Sequence, residues 1–218
     1  MTEPADRTRP ETAQTLDRGL RLLRLVADSS GGVTVTEAAA RLGVGRAVVY
    51  RLVSTLVEHG LVRRDRAGRM RLGAGVLQLA RRAQPLIAEA ALPALRRLAE
   101  DVGATAHLTV AEGNEGVALV VVEPTWTRFH VAYRTGSRHP LELGAAGRAI
   151  LEARTTRATA VVISEGELEQ GAFGVAAPVV GVEGLDASVG VVALAPLDAA
   201  VVGPAVQSAA AAVGRALA

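Results

Sequence analysis

Residues 34–72 read TVTEAAARLGVGRAVVYRLVSTLVEHGLVRRDRAGRMRL, and this stretch decides the fold. Thr34 and Glu37 stand at the spacing of a capping box, in which each side chain satisfies the other's orphan backbone donor. A short helix therefore starts at Val35 and ends near Leu42, where Gly43 supplies the left-handed stop. After Val44-Gly45 the apolar positions Val49, Leu52, Val53, Leu56 and Val57 fall on one stripe, which predicts a helix over 46–59 ending at Gly60. Residues 61–65 then read as a strand, Arg66-Ala67-Gly68 as a tight turn and 69–72 as the returning strand. Helix, turn, helix and hairpin in that order make a winged helix-turn-helix.

Upstream, residues 1–13 are polar, carry two prolines and read as a disordered arm. Leu16, Leu20, Leu23 and Val26 repeat at helical spacing and predict a helix stopped by Ser29-Ser30-Gly31-Gly32. Downstream, 74–83 and 85–102 read as two linker helices, with Pro85 and Pro93 as breaks or kinks. Past Gly103 the texture changes to strands over 105–111, 117–123, 128–134, 159–164, 172–180 and 188–195. A short helix over 145–153 and a final one over 198–217 complete an α+β chain with a mainly antiparallel sheet. The expected domains are 1–13, 14–73, 74–102 and 103–218.

Composition narrows the function classes. The 218 residues carry 24 basic and 22 acidic side chains, but the balance is uneven. Residues 1–100 hold 17 Arg against 10 carboxylates, and 101–218 hold 7 Arg against 12, so a basic module precedes an acidic one. The absence of cysteine excludes disulfides, thiolate-bound metals and thiol chemistry. Only five residues are aromatic, which argues against base stacking on single strands and for groove-and-phosphate reading of duplex DNA. No uninterrupted apolar run approaches a membrane span, and the charged first residues lack a signal-peptide core. The expected location is cytoplasmic.

The chain resembles the IclR family of bacterial transcriptional regulators. The resemblance rests on Thr15-Leu16-Asp17-Arg18-Gly19-Leu20, Leu42-Gly43-Val44, Tyr50-Arg51-Leu52 and Arg71-Leu72-Gly73. It continues through Gly136-Ser137-Arg138, Gly144-Ala145-Ala146-Gly147-Arg148 and Val175-Ala176-Ala177-Pro178. It implies a DNA-binding winged helix, a linker and a C-terminal effector-binding domain like GAF domains.

The core stripe of the helix over 46–59 leaves Arg46, Ala47, Val48, Tyr50, Arg51, Ser54 and Thr55 outside, on the face that would enter a major groove. Arg46 suits a guanine edge, Ala47 and Val48 a thymine methyl, and Tyr50 and Arg51 phosphates. The hairpin adds Arg64, Arg66 and Arg69 as candidate backbone contacts, with Arg63 and Arg71 beside them. A solvated face and a solubilising hairpin are the plain alternatives.

In the C-terminal half, the resemblance puts the effector at the helix beginning Gly144-Ala145-Ala146, whose free amides attract small acids. Four family side chains are replaced: a cysteine by Gly174, two serines by Ala193 and Ala195, and an acid by Ser164. The rest of the wall would be aliphatic, from Leu141, Leu143, Phe173, Val175 and Leu194, so the expected effector is apolar or larger, or absent. The connection over 152–159 is shorter than the family's, which puts a tetramer in doubt.

His59, His107, His130 and His139 show no metal-ligand spacing and read as structural histidines. No cofactor is expected. The expected protein is a dimeric, ligand-responsive regulator of double-stranded DNA. Two rivals stay open: a constitutive regulator whose C-terminal domain only oligomerises, and an enzyme, which would need convergent titratable groups that the sequence does not display.

Overall fold

The computed structural model describes residues 13–127, 131, 133–156 and 159–218. The expected arm, His130 and most of the strand expected over 128–134 lie outside the described residues. Two compact units divide the chain, the first ending at Arg82 and the second starting at Ala83.

The first unit holds α1 (Gln14–Ala27), α2 (Val35–Leu42), α3 (Arg46–Glu58), β1 (Val62–Arg64) and β2 (Met70–Leu72). Thr34 and Glu37 form the reciprocal capping box, and Gly43 ends α2 with φ 65°. Strands β1 and β2 pair antiparallel, and Val33 bridges Met70 as a third rung of the wing. Leu22, Val26, Val33, Val49, Val53, Val62 and Met70 fill the core. Burying each such side chain stabilises by about 1.5–3 kcal/mol.

The stripe expected on α1 is corrected. Its buried positions are Gly19, Leu22 and Val26, while Leu16 and Leu20 are exposed. Leucines occur on every side of α1, so periodicity alone does not choose the face. The buried face is the one on which Leu22 and Val26 join Val49, Leu52 and Val53 of α3 in the core. On α3, Val57 also turns outward.

The two linker helices expected around Pro85 are one, α4 (Gly75–Val102), which contains both prolines. The lost amide and ring clash of an internal proline cost about 3 kcal/mol. Ala, Leu, Arg and Glu on both sides favour helix strongly enough to continue it. Its later turns bury Ala91, Ala94, Leu95, Leu98 and Ala99 in the second unit.

That unit is built on β3 (Thr105–Glu112), β4 (Glu115–Val122), β5 (Arg138–Pro140), β6 (Val162–Glu165), β7 (Phe173–Val179) and β8 (Ala187–Ala193). They form one antiparallel sheet in the order β5-β4-β3-β8-β7-β6. Strand β5 was not expected: it is three residues ending in proline, tolerated because it lies at the sheet edge. Val131, Tyr133 and Arg134 belong to no strand.

Side-chain alternation divides the sheet into two faces. Ala106, Leu108, Val110, Val175, Ala177, Val189 and Val191 share an aliphatic core with α4 and with α6 (Ala199–Leu217). His107, Thr109, Ala176, Ser188 and Gly190 alternate with them. On this second face lies α5 (Gly144–Thr156), whose Ala146 carbonyl accepts from the Ser188 hydroxyl at 2.9 Å. By length and composition α6 could cross a bilayer, but it buries Val202, Val206, Ala209, Ala210 and Val213 in the core.

Candidate functional site

Two places gather functional side chains, one in each unit. In the first, α3 leaves Arg46, Ala47, Tyr50, Arg51, Ser54 and Thr55 exposed along one face. Val48 departs from expectation: it is half-buried against the core and lines a groove with Thr15, Arg18, Arg51 and Thr55. The Ser54 hydroxyl donates to the Tyr50 carbonyl at 3.0 Å, and that of Thr55 to the Arg51 carbonyl at 3.2 Å. These two donors are spent on the helix itself.

The wing arginines divide by what they touch. The Arg69 guanidinium donates to the Gly31 and Gly32 carbonyls at 2.9–3.2 Å and pairs with Glu37 at 3.4 Å. Arg71 pairs with Asp65 at 2.9 Å and donates to the Ser30 carbonyl. Both therefore tie the wing to the segment before α2, and Arg69 is reassigned from nucleic-acid contact to structural tie. Arg63, Arg64 and Arg66 are exposed. The Arg64 guanidinium lies 5.6 Å from the centre of the Tyr50 ring, joining wing to helix by a cation–π contact. The Arg71 hydrogen bond, then the Arg69 amide, hold the Asp65 carboxyl below its usual range. The Thr34 amide does the same, as the largest cause, for Glu37.

In the second unit, α5 and the second face of the sheet border a partly open cavity of about 110 Å³. Of the residues expected there, Ala145, Ala146, Ser164 and Gly174 line it. Gly144 does not line it, but its backbone N–H donates to Glu167, which does. Leu141 is buried beside Gly147, Leu143 and Ala195 are exposed, and none of the three forms the wall. Phe173 and Ala193 pair across β7 and β8 and, by alternation, point to the opposite face.

The aliphatic wall expected from sequence is also corrected. His107, Tyr133, His139, Glu167 and Glu169 line the cavity with Leu168, Val191 and Val192. The signal was present in Thr105, His107 and Thr109, three polar residues at alternate positions of β3. Two glycines accommodate the imidazoles. Gly190 stands opposite His107 on β8, and a Cβ there would lie 2.8 Å from the ring. Gly116 stands likewise opposite His139, again at 2.8 Å.

The polar groups are connected. His107 Nδ1 lies 3.1 Å from Thr109 Oγ1, and the Tyr133 ring meets His107 edge-on at 5.2 Å. Burial, with His139 nearby as the lesser cause, pushes His107 down to about 3. Burial raises the Tyr133 phenol. At the start of α5, the Gly144 N–H donates to Glu167 Oε2 at 2.8 Å and the Ala145 N–H to Ser164 Oγ at 2.9 Å. Arg148 holds the other oxygen of Glu167 at 2.6 Å. Gly174 has a local reason: a Cβ there would lie 2.8 Å from Ser164 Oγ. Among the described residues, no cluster of three His, Asp or Glu could hold a metal ion.

With this geometry in place, comparison with known proteins gives a consistent result. The IclR helix-turn-helix domain model matches residues 15–66, and the bacterial transcriptional regulator IclR C-terminal model matches 82–156. The acetate operon repressor of Salmonella typhimurium is 31% identical over 156 residues, 68% of this chain and 57% of that protein. The chain thus spans somewhat more than half the length of that relative. The IclR transcriptional regulator of Alicyclobacillus acidocaldarius shares the fold at TM-score 0.55 and 23% identity, covering 95% of this chain and 100% of that one. An IclR homologue of Microbacterium hydrocarbonoxydans, solved with 4-hydroxybenzoate, does so at TM-score 0.53 and 21% identity, covering 93% and 98%.

Proposed function

Because the chain belongs to the IclR family of bacterial transcriptional regulators, we propose that it is a DNA-binding transcription factor that responds to a small molecule in its C-terminal unit. The observation that carries this reading is the exposed set Arg46, Tyr50 and Arg51 on α3, beside exposed Arg64 and Arg66 of the wing, within the matched helix-turn-helix domain. The N-terminal residues of a recognition helix reach base edges, and flanking guanidiniums neutralise phosphates. Arg46 and Ala47 sit where base contact occurs. Tyr50, Arg51 and Thr55 follow along the same face, with Val48 contributing its outer edge.

The protein acts as a dimer on a roughly palindromic site, as helix-turn-helix dimers do. Leu77 and Leu79 of α4 in the first unit and Leu86 in the second are exposed leucines that support this association. A cytoplasmic location follows from DNA as the partner. The 4-hydroxybenzoate complex of the fold relative supports a small organic compound as the class of effector. The cavity volume of about 110 Å³ agrees, being well below the roughly 300–1,000 Å³ of sites for drug-sized ligands. That small volume also favours a second reading, a constitutive regulator whose C-terminal unit only oligomerises.

The test is fluorescence anisotropy with a duplex selected from a random library, at fixed salt. Arg46→Ala with Arg51→Ala weakens selective binding by at least one to two orders of magnitude if the reading is right. Unchanged affinity overturns the recognition-helix assignment. A bound compound that changes DNA affinity excludes the constitutive reading.

A further inference from the structure

Resting on the reading that the C-terminal unit binds an effector, we propose that its cavity takes a small uncharged compound bearing a hydroxyl group and excludes carboxylates. The amides that begin α5 would ordinarily attract an anion. Here two of them are already occupied. Glu167 brings the chain's own carboxylate to the Gly144 amide at 2.8 Å, and Ser164 covers the Ala145 amide at 2.9 Å. Arg148 locks Glu167 in place at 2.6 Å. An entering carboxylate must displace this internal one or stand against it, and like charges brought together are strongly disfavoured.

Among the described residues nothing else in the wall compensates: Glu169 adds a second carboxylate, and no described arginine lines the cavity. His107 is neutral over the ordinary pH range because of its burial.

The second observation is independent of the helix start. His139 is 6% exposed, and its Nδ1 lies 3.0 Å from the Pro140 carbonyl. A carbonyl only accepts, so Nδ1 carries the proton of the neutral ring and Nε2 is an acceptor. No described protein group reaches that buried Nε2, although the ring lines the cavity. A buried acceptor of this kind calls for a donor. A ligand hydroxyl provides one, and its oxygen can in turn accept the Ser164 proton, because Ser164 Oγ serves Ala145 as acceptor only.

The experiment titrates the full chain, followed by NMR, with benzyl alcohol against benzoate and propan-1-ol against propanoate. It is run at about pH 8, above the ordinary imidazole value of about 6.5. Each alcohol is expected to bind about tenfold or more tightly than its acid. Glu167→Ala should raise affinity for the acids about tenfold relative to the alcohols, narrowing or reversing the preference. His139→Leu, with folding verified by circular dichroism, should weaken the alcohols. Equal or tighter binding of the acids to the unaltered chain overturns the inference. So does an equal response of both classes to Glu167→Ala, or no binding by any of the four at about 10 mM. DNA anisotropy separates this inference from the reading beneath it. Acids that bind and alter DNA affinity leave effector sensing intact and remove the inference. Alcohols that bind without altering DNA affinity do the reverse.

Discussion

The winged helix and the cavity handle charge in opposite ways. On α3, Arg46 and Arg51 face solvent, and the wing adds exposed Arg64 and Arg66. Around the cavity, Glu167 is committed to Arg148 and to the Gly144 amide, and His107 is kept neutral by burial. A surface that meets a polyanion keeps its cations available, since neutralising phosphate is the source of most non-specific affinity. A cavity for a small ligand satisfies its charges internally, because an unpaired buried charge is costly. Arg69 shows that the distinction is made residue by residue. It lies in the same arginine-rich hairpin as Arg66, yet its guanidinium is spent on the carbonyls of Gly31 and Gly32.

This contrast can be broken in four places. The largest effect is expected from Arg46→Ala with Arg51→Ala. Losing a base contact costs about 1–3 kcal/mol, so the pair should weaken selected-duplex binding by one to two or more orders of magnitude while the melting temperature stays put. A matching loss of thermal stability would mean that these cations are structural after all.

Next is Gly190→Ala, which drives a methyl group to 2.8 Å from the His107 ring and 2.9 Å from Ala176 Cβ. Overpacking of this kind costs about 1–3 kcal/mol, read as a lower melting temperature. An unchanged melting temperature would show that the imidazole does not occupy this socket.

Acid should separate the two units. The folded-state value of His107 is depressed, so its contribution is complete above the unfolded value of about 6.5 and is lost as pH falls from there toward about 3. One proton gives a slope of at most about 1.4 kcal/mol per pH unit. Asp65 and Glu37 are depressed too, but from ordinary values of 3.8 and 4.5, so the first unit loses their contribution only at lower pH. Hydrogen exchange across pH 7 to 4 should therefore show the second unit loosening first, and the opposite order would refute the assignment.

The smallest effect belongs to Arg69→Ala. Loss of its partly exposed hydrogen bonds should cost about 1 kcal/mol of stability and leave duplex selectivity intact. A selective loss of DNA binding at unchanged stability would return Arg69 to the contact surface.

What the sequence makes legible follows the range of the interactions concerned. The bounds of α2 are visible because Thr34, Glu37 and Gly43 settle them within ten residues. The face of α1 is not, because five leucines surround that helix and the choice depends on packing Leu22 and Val26 against α3. The break expected at Pro85 fails because helix propensity on both sides outweighs one lost hydrogen bond. In the cavity, Ala145, Ala146, Ser164 and Gly174 are legible through the family resemblance. His139 and Glu167 are not, because β5 and the turn after β6 bring them together over long sequence separations. Phe173 and Ala193 miss the cavity by a single step of strand alternation, to which a reading by position is most vulnerable.

The pairing of each cavity imidazole with a glycine on the neighbouring strand also bears on how such a protein can change its ligand. Neither His107 nor His139 can be enlarged while its glycine partner must stay bare, and neither glycine can gain a side chain while the ring remains. Adding bulk at this floor therefore requires two coordinated substitutions per pair, whereas the wall at Leu168 and Glu169 is open to single ones. On the proposed reading of this cavity as an effector site, new preferences should accordingly arise first on the segment after β6 and reach the sheet last.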